Sequence, residues 1–316
     1  MHPFAGYGSA KGYQGHFFSL GHGLFSDRIR AREKKNISYH YDAPGEFFAF
    51  FLGETMGYTC GYYAHPHAST SQAQNNKMEM ICRKLRLKKG EHLLDMGCGW
   101  GNFAVYAAKK FRVRVTGITL SCEQKKFADQ WVAQENLEGL VTIKELNYRD
   151  LEKTAFDKIS CVGMSEHVGK ANMRLFFQMA YEALKPGGLF LQHTITAKHQ
   201  PKKGHANLFL NTYMFPGGQL LPEQDLIETA AFCGFELLNA ENFRPHYVKT
   251  LAHWIGKMEK NKEKILDLVQ EHTYRIYHIF FIGSLVSFQH QNLFYKPRSS
   301  QVEMHYFSTP FLNNER

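Results

Sequence analysis

Six cysteines in 316 residues are few, and no two of them form a CxxC pair. Cys60, Cys82, Cys98, Cys122, Cys161 and Cys233 lack the spacing of a disulfide framework or a structural zinc site, so buried thiols in a reducing compartment are expected. There is no HExxH, and the 17 histidines scatter without paired-ligand spacing, so no metal is expected. No apolar run is long enough to cross a bilayer, and no continuous apolar segment follows a basic start. A spanning protein and a secretory leader are thereby set aside, and a cytoplasmic location is expected. Internal repeats and low-complexity blocks are also absent.

What is present is a composition of 44% hydrophobic and 14% aromatic residues, enough for one large globular domain or two small ones. The formal charge of +9 favours an anionic partner, either nucleic acid or a membrane surface bearing acidic lipids. Charge alone does not choose between them. Residues 1–37 run from Gly-rich "AGYGSAKGYQGH" to basic "SDRIRAREKK". A flexible arm with a solvated charge run is expected there; a lid or lipid-facing arm is the alternative.

From Glu91 onward short apolar runs alternate with helical patterns, the signature of a doubly wound α/β fold with a parallel sheet covered on both faces. Strands are expected at "EHLLDMG", "VRVTGITL", "VTIKELN", "KISCVGM", "GLFLQHTI", "FELLNAENF" and near "NLFYKP". Helices are expected at "NFAVYAAKKF", "EQKKFADQWVAQEN" and "MRLFFQMAYEALKPGG", the last closed by Pro186 and the glycines at 187–188. Segments 38–90, 196–222 and 245–290 stand outside the alternation. The third reads as two helices, and "YRIYHIFFIGSLVSF" is a core element or else the wall of a tunnel for an apolar substrate.

Such sheets bind ligands beyond the carboxyl ends of their strands. After "HLLD", Asp95 ends a strand and Gly97, Gly99 and Gly101 form the turn into a helix. Their G-x-G-x-G spacing differs from the dinucleotide fingerprint G-x-G-x-x-G and suits S-adenosylmethionine (SAM); a turn without ligand is the competing reading. "NYRD" after the third strand places Asp150 to accept from an adenine amino group. After the second strand, where most SAM enzymes carry an acid, this chain has Thr119, Leu120 and Gln124.

The chain resembles the cyclopropane-fatty-acid and mycolic-acid cyclopropane synthases, a branch of the SAM-dependent methyltransferases. The resemblance runs from about Ile37 to Lys296 through "ISYHYDAPGEFFAFFLGETMGYTCGYY", "LLDMGCGWG", "VTGITLSCEQ", "GMSEHVG", "ALKPGGLFLQHTI", "FPGGQLLP" and "FRPHYVKTLAHW". It implies a seven-stranded, Rossmann-like fold with substrate-covering helices from the three outlying segments. SAM would be held by Tyr58, Thr59, Gly97, Gly99, Gly101, Thr119, Leu120, Gln124, Arg149 and Asp150, with Asp95 at the strand end. Members commonly read "GNDFY" and "TYSCAYF" where this chain has "PGEFF" and "GYTCGYY", so contacts at the cofactor's carboxylate are expected to differ in detail.

By the same resemblance, "FDKISCVGMSEHVG" ends a strand on charge because Glu166 helps to hold a bicarbonate ion, the base that removes a proton after methyl transfer to an alkene. The cage would comprise the backbone N–H groups of Cys60 and Ile195 with the side chains of Glu166, His193 and Tyr247. Each has a plainer reading: Glu166 as a helix cap, Cys60 as a small buried hydrophobe, Tyr247 as a core aromatic. His167 reads as a packed histidine.

The implied activity is methylene transfer from SAM to a cis double bond of an unsaturated phospholipid or acyl lipid, performed by a cytoplasmic enzyme peripherally attached to an anionic membrane surface. The rivals are C-methylation without ring closure, N-methylation of a small amine, and a SAM-binding module without catalysis. A nucleic-acid partner is disfavoured: strand four ends in "GMSEH" without the Asn/Asp-Pro-Pro-aromatic turn of adenine methylases, and no RNA-binding motif occurs.

Overall fold

The computed structural model describes residues 44–153, 156–197, 208–289 and 300–310. The arm 1–37 lies outside these residues, as does "NLFYKP". Seven strands form one sheet: β1 His92–Met96, β2 Arg114–Thr119, β3 Val141–Glu145, β4 Phe156–Val162, β5 Leu184–Ala197, β6 Glu236–Asn242 and β7 Ser300–Ser308. Their order is β3-β2-β1-β4-β5-β7-β6. The pairs among β1 to β5 are parallel, whereas β7 lies antiparallel between β5 and β6. The sheet is therefore mixed, and its seventh strand follows the stretch in which it was expected.

The helices are α1 Gly45–Leu52, α2 Thr70–Lys84, α3 Asn102–Phe111, α4 Cys122–Gln134, α5 Met173–Ala183, α6 Glu223–Phe232, α7 Arg244–Lys260, α8 Lys262–Leu266 and α9 Glu271–Gln289. In α1, Phe47, Phe48, Phe51 and Leu52 are all buried, so the aromatic run of "GEFFAFFL" becomes the packing face. Ser69 starts α2 with a capping box: its hydroxyl accepts from the Gln72 N–H at 3.2 Å while its own N–H donates to Gln72 Oε1 at 2.8 Å.

Two expected boundaries move. The helix foreseen through Pro186 stops at Ala183, and β5 begins at Leu184. Between the pairs Phe156↔Leu184 and Lys158↔Leu189 the register shifts, so Lys185–Pro186–Gly187–Gly188 loop out as a bulge within the ladder. Segment 245–290 holds three helices rather than two, because Asn261 breaks the run and separates the short α8.

Side chains alternate across the sheet, dividing the core in two. Leu93 packs with α1–α4 and α7–α9, whereas the neighbouring Leu94 and Met96 pack with α5 and α6. The chain builds β1-β2-β3 in one direction and then crosses back to β4 on the other side of β1, so the carboxyl ends of β1 and β4 form a switch point where a crevice opens.

Candidate active site

A cavity lies at that switch point, and eight of the residues expected to hold SAM line it: Tyr58, Thr59, Asp95, Gly97, Gly99, Thr119, Leu120 and Gln124. Asp95 is buried, with Oδ1 accepting from Ser160 Oγ at 2.9 Å and Oδ2 without a hydrogen-bond partner among the described residues. Burial pushes its carboxyl up to about 7, against the opposing effects of Ser160 and Lys77. Thr119 Oγ1 donates to Gln124 Oε1 at 2.8 Å, and the Gln124 N–H donates to the Ser121 hydroxyl at 3.2 Å. These bonds fix the glutamine where a ribose-holding acid was looked for.

The glycines divide by role. A Cβ on Gly99 would meet only Gln124 Nε2, at 4.0 Å, so the space above it is open for a ligand. A Cβ on Gly101, where φ is +87°, would stand 2.7 Å from Ala128 Cβ. Gly101 thus permits α3 and α4 to pack and does not line the cavity. Nor do Arg149 and Asp150. The tight turn Tyr148–Asp150 aims Tyr148 at the cavity and leaves Asp150 exposed, because one residue in a 3₁₀ turn rotates the side chain by about 120°. The Arg149 guanidinium lies over the Tyr148 ring, 4.6 Å from its centroid.

Lys77 and Trp100 also line the cavity and were not foreseen. Lys77 is 3% exposed, and its Nζ donates to Thr59 Oγ1 and Gln74 Oε1, both at 2.7 Å. Burial lowers its ammonium to about 8, while the nearby Cys60 and Asp95 oppose the drop. Its signal was present in α2, where Ala73, Gln74, Lys77, Met78 and Ile81 form one buried stripe interrupted by a cation.

Of the five residues of the expected cage, Glu166 and Ile195 are joined directly, and His193 precedes Ile195 on β5. Glu166 sits in a 3₁₀ turn after β4, with Oε1 accepting the Ile195 N–H at 2.8 Å and Oε2 buried without a partner among the described residues. Its carboxyl is raised by burial, opposed chiefly by the Ile195 N–H. An anion using that N–H would therefore share it with Glu166. His193 is buried, and its Nε2 has no hydrogen-bond partner among the described residues. Burial and then the charge of Lys77 push its imidazole down to about 3, which keeps it neutral.

Phe243 links the remaining members. Its ring lies 5.8 Å from that of His193, while its carbonyl accepts from the Tyr247 N–H at 3.1 Å and lies 3.7 Å from Cys60 Sγ. Burial raises the Cys60 thiol far above its ordinary range, so it stays protonated. His167, expected only to pack, lines the cavity too, with its ring 5.6 Å from Phe215. In the segment after β5, Phe215 also touches Phe280 of α9 at 5.4 Å, and the Gln219 N–H donates to the Glu166 carbonyl at 2.8 Å.

Residues 28–295 match the family described as "Mycolic acid cyclopropane synthetase". The chain belongs to this family. It is a SAM-dependent C-methyltransferase of the cyclopropane-synthase type. It is 41% identical over 300 residues to a "Probable fatty acid methyltransferase" of Pseudomonas putida, covering 88% of this chain and 76% of that one. Identity to the "Cyclopropane-fatty-acyl-phospholipid synthase" of Escherichia coli strain K12 is 38% over 239 residues, covering 75% of this chain and 60% of the relative. The chain thus spans about three fifths of that longer relative. The solved structure of "mycolic acid cyclopropane synthase CmaA1 complexed with SAH and CTAB" superposes with a TM-score of 0.81 at 30% identity, covering 87% of this chain and 98% of that one.

The donor set fits SAM in this family member. Asp95 Oδ2 offers a buried acceptor, Lys77 a cation, Gly99 an open approach, and Tyr58, Trp100 and Tyr148 apolar surface.

Proposed function

We propose that the enzyme adds a one-carbon unit from SAM to a cis double bond of a lipid acyl chain and closes it to a cyclopropane, with bicarbonate as base. The observation that carries this reading is Glu166: an enclosed carboxylate with one oxygen on the Ile195 N–H and the other without a hydrogen-bond partner among the described residues, next in sequence to His167 of the cavity lining. SAM supplies an electrophilic sulfonium methyl when bound. Asp95, Thr59 and Gln124 hold and orient it, and Lys77 fixes the Thr59 loop.

An alkene that takes a methyl group becomes a carbocation, which needs stabilisation without a nucleophile. Tyr58, which lines the cavity, packs its ring 5.5 Å from Trp254 and 6.4 Å from Phe281, and aromatic faces of this kind would stabilise such a cation without capturing it. Ring closure requires the loss of one proton from the transferred methyl. Glu166 would hold and orient a bicarbonate ion, which when bound would supply the base for that proton, and the exclusion of water would prevent capture of the cation. Helices α1, α2, α7, α8 and α9 of the outlying segments would cover the substrate.

The membrane side of the proposal rests on charge and on an apolar stripe. No helix among the described residues is long and apolar enough to cross a membrane. On α9, however, Ile279, Ile282 and Val286 are exposed at spacings of one helical face, and Tyr213, also exposed, lies 6.2 Å from His272 at the start of the same helix. With a net charge of +9, this surface suits reversible docking on an anionic bilayer from which an acyl chain is drawn. The free cysteines fit a reducing, cytoplasmic compartment.

Replacing Glu166 by Gln tests the role of the carboxylate. SAM binding should survive, whereas ring formation should fall about 10²–10⁴-fold, in line with loss of a positioned base. Full activity of Glu166→Gln in bicarbonate-depleted buffer would remove the cage. A second reading, methyl transfer without ring closure, is favoured by the fatty acid methyltransferase likeness. It differs at the proton-loss step and is recognised by its product.

A further inference from the structure

We propose that Glu223, Glu303 and His305 form a binding site for one divalent transition-metal ion of the zinc type, pinning α6 to β7. The three residues lie far apart in sequence, which is why no ligand spacing announced them. Their ligand atoms converge within 4.8 Å of one another. His305 Nε2 stands 3.5 Å from Glu223 Oε1. Two ligands about 2.0–2.2 Å from a tetrahedral zinc are roughly 3.3–3.6 Å apart, so this gap already has the length of a coordination edge.

An acidic residue in the first turn of α6 would by itself be no more than a helix-dipole partner. His305 is what points to a ligand. It is 0% exposed; Nδ1 makes no hydrogen bond among the described residues, and Nε2 has only the long 3.5 Å contact to Glu223, too poorly aligned for a hydrogen bond. An imidazole buried in that condition costs free energy that a metal bond would offset. The cross-strand pairs Gln192↔His305 and Thr194↔Glu303 set further polar groups on the same face of the sheet. Gln192 is 0% exposed, and both atoms of its amide lack partners among the described residues, so its carbonyl oxygen is a candidate fourth ligand.

Charge and hardness agree with this ion. Two carboxylates and one neutral imidazole balance a divalent cation, and a set of oxygen and nitrogen ligands without thiolate suits zinc or a neighbouring first-row metal. Glu303 is already oriented, its Oε1 accepting from Asn242 Nδ2 at 2.6 Å. Entry is by way of Glu223, whose side chain is 37% exposed. The bound ion would tie the start of α6 to the sheet behind Thr194, whose hydroxyl accepts from Ser165 at 2.9 Å beside Glu166. Its role is structural, and no step of methyl transfer passes through it.

The test uses the full chain, stripped by a chelator and titrated with Zn²⁺ by calorimetry, with Co²⁺ absorption as a second readout. One saturable equivalent is expected, with a melting temperature that rises with zinc concentration. His305→Gln and Glu223→Gln should each weaken binding on the order of 100-fold or more. His278→Gln, which removes a partly buried histidine of α9 paired with Glu259, should leave it unchanged. Should His305→Gln fail to fold, Glu223→Gln decides the matter on its half-exposed side chain. Absence of saturable binding up to millimolar Zn²⁺, or unaltered affinity in Glu223→Gln, overturns the site.

Discussion

A single atom such as Gly99 Cα decides what the glycine turn is for. Above it the cavity is open, whereas above Gly101 stands Ala128. Gly99→Val should therefore abolish SAM binding, measured by calorimetry; because Gly99 also has φ +54°, where valine is strained, circular dichroism is needed to separate loss of the site from loss of the fold. Unchanged SAM affinity would misplace the cofactor. The same resolution limits what sequence reveals. Glu166 was legible because charge rarely closes an apolar strand, and Asp95 because it precedes a glycine turn. Tyr148, and not Asp150, lines the cavity because a 3₁₀ turn sends neighbouring residues in different directions. Lys77 was overlooked because a lysine in a helix is usually solvated.

His193 gives the pH dependence a sign. Burial lowers its imidazole from 6.5 to about 3, so between those values the unfolded chain binds a proton that the folded chain does not. Stability must fall as pH drops through that window, by up to about 1.4 kcal/mol per pH unit from this group. Asp95, raised to about 7, acts oppositely: its folded form keeps a proton that the unfolded chain has lost, so stability falls as pH rises from the ordinary carboxylate range towards 7. Comparing urea midpoints of the wild type and His193→Gln between pH 7 and 5 separates the two. The variant should lose less stability on acidification.

At the scale of elements, Gly101 belongs to the contact between α3 and α4. A methyl group there meets Ala128 and also forces a side chain into left-handed backbone, so Gly101→Ala should destabilise by about 1–3 kcal/mol. Urea unfolding checks this, and a neutral result would remove the packing role. The helix pattern of α3 was plain from its amphipathic spacing, and β1 from its short apolar run. The end of α5 was not, because a strand with a bulge can absorb Pro186 and the glycines that ordinarily announce a loop. The bounds of β7 were not legible either: "VEMHYF" is interrupted by Glu303 and His305, and its pairing with β5, distant in sequence, makes it a strand.

The whole molecule presents an apolar stripe on α9 and an excess of positive charge. Vesicle co-sedimentation should decline with added salt and with replacement of anionic by neutral lipid, because screening weakens attraction between exposed charges. Ile282→Asp should weaken it further while SAM affinity stays the same. Equal binding to neutral and anionic vesicles would remove electrostatics from the account.

The most direct measurement is the product. The purified enzyme is given SAM bearing a fully deuterated methyl group, together with vesicles of a cis-monounsaturated anionic phospholipid, and the acyl chains are analysed by mass spectrometry. Cyclopropane formation predicts one added carbon that retains two of its three deuterium atoms, since one is lost to the base, and a chain that resists mild hydrogenation. Retention of all three deuteriums in an acyclic branched chain would contradict ring closure, and absence of label from the acyl chains would contradict lipid methyl transfer itself.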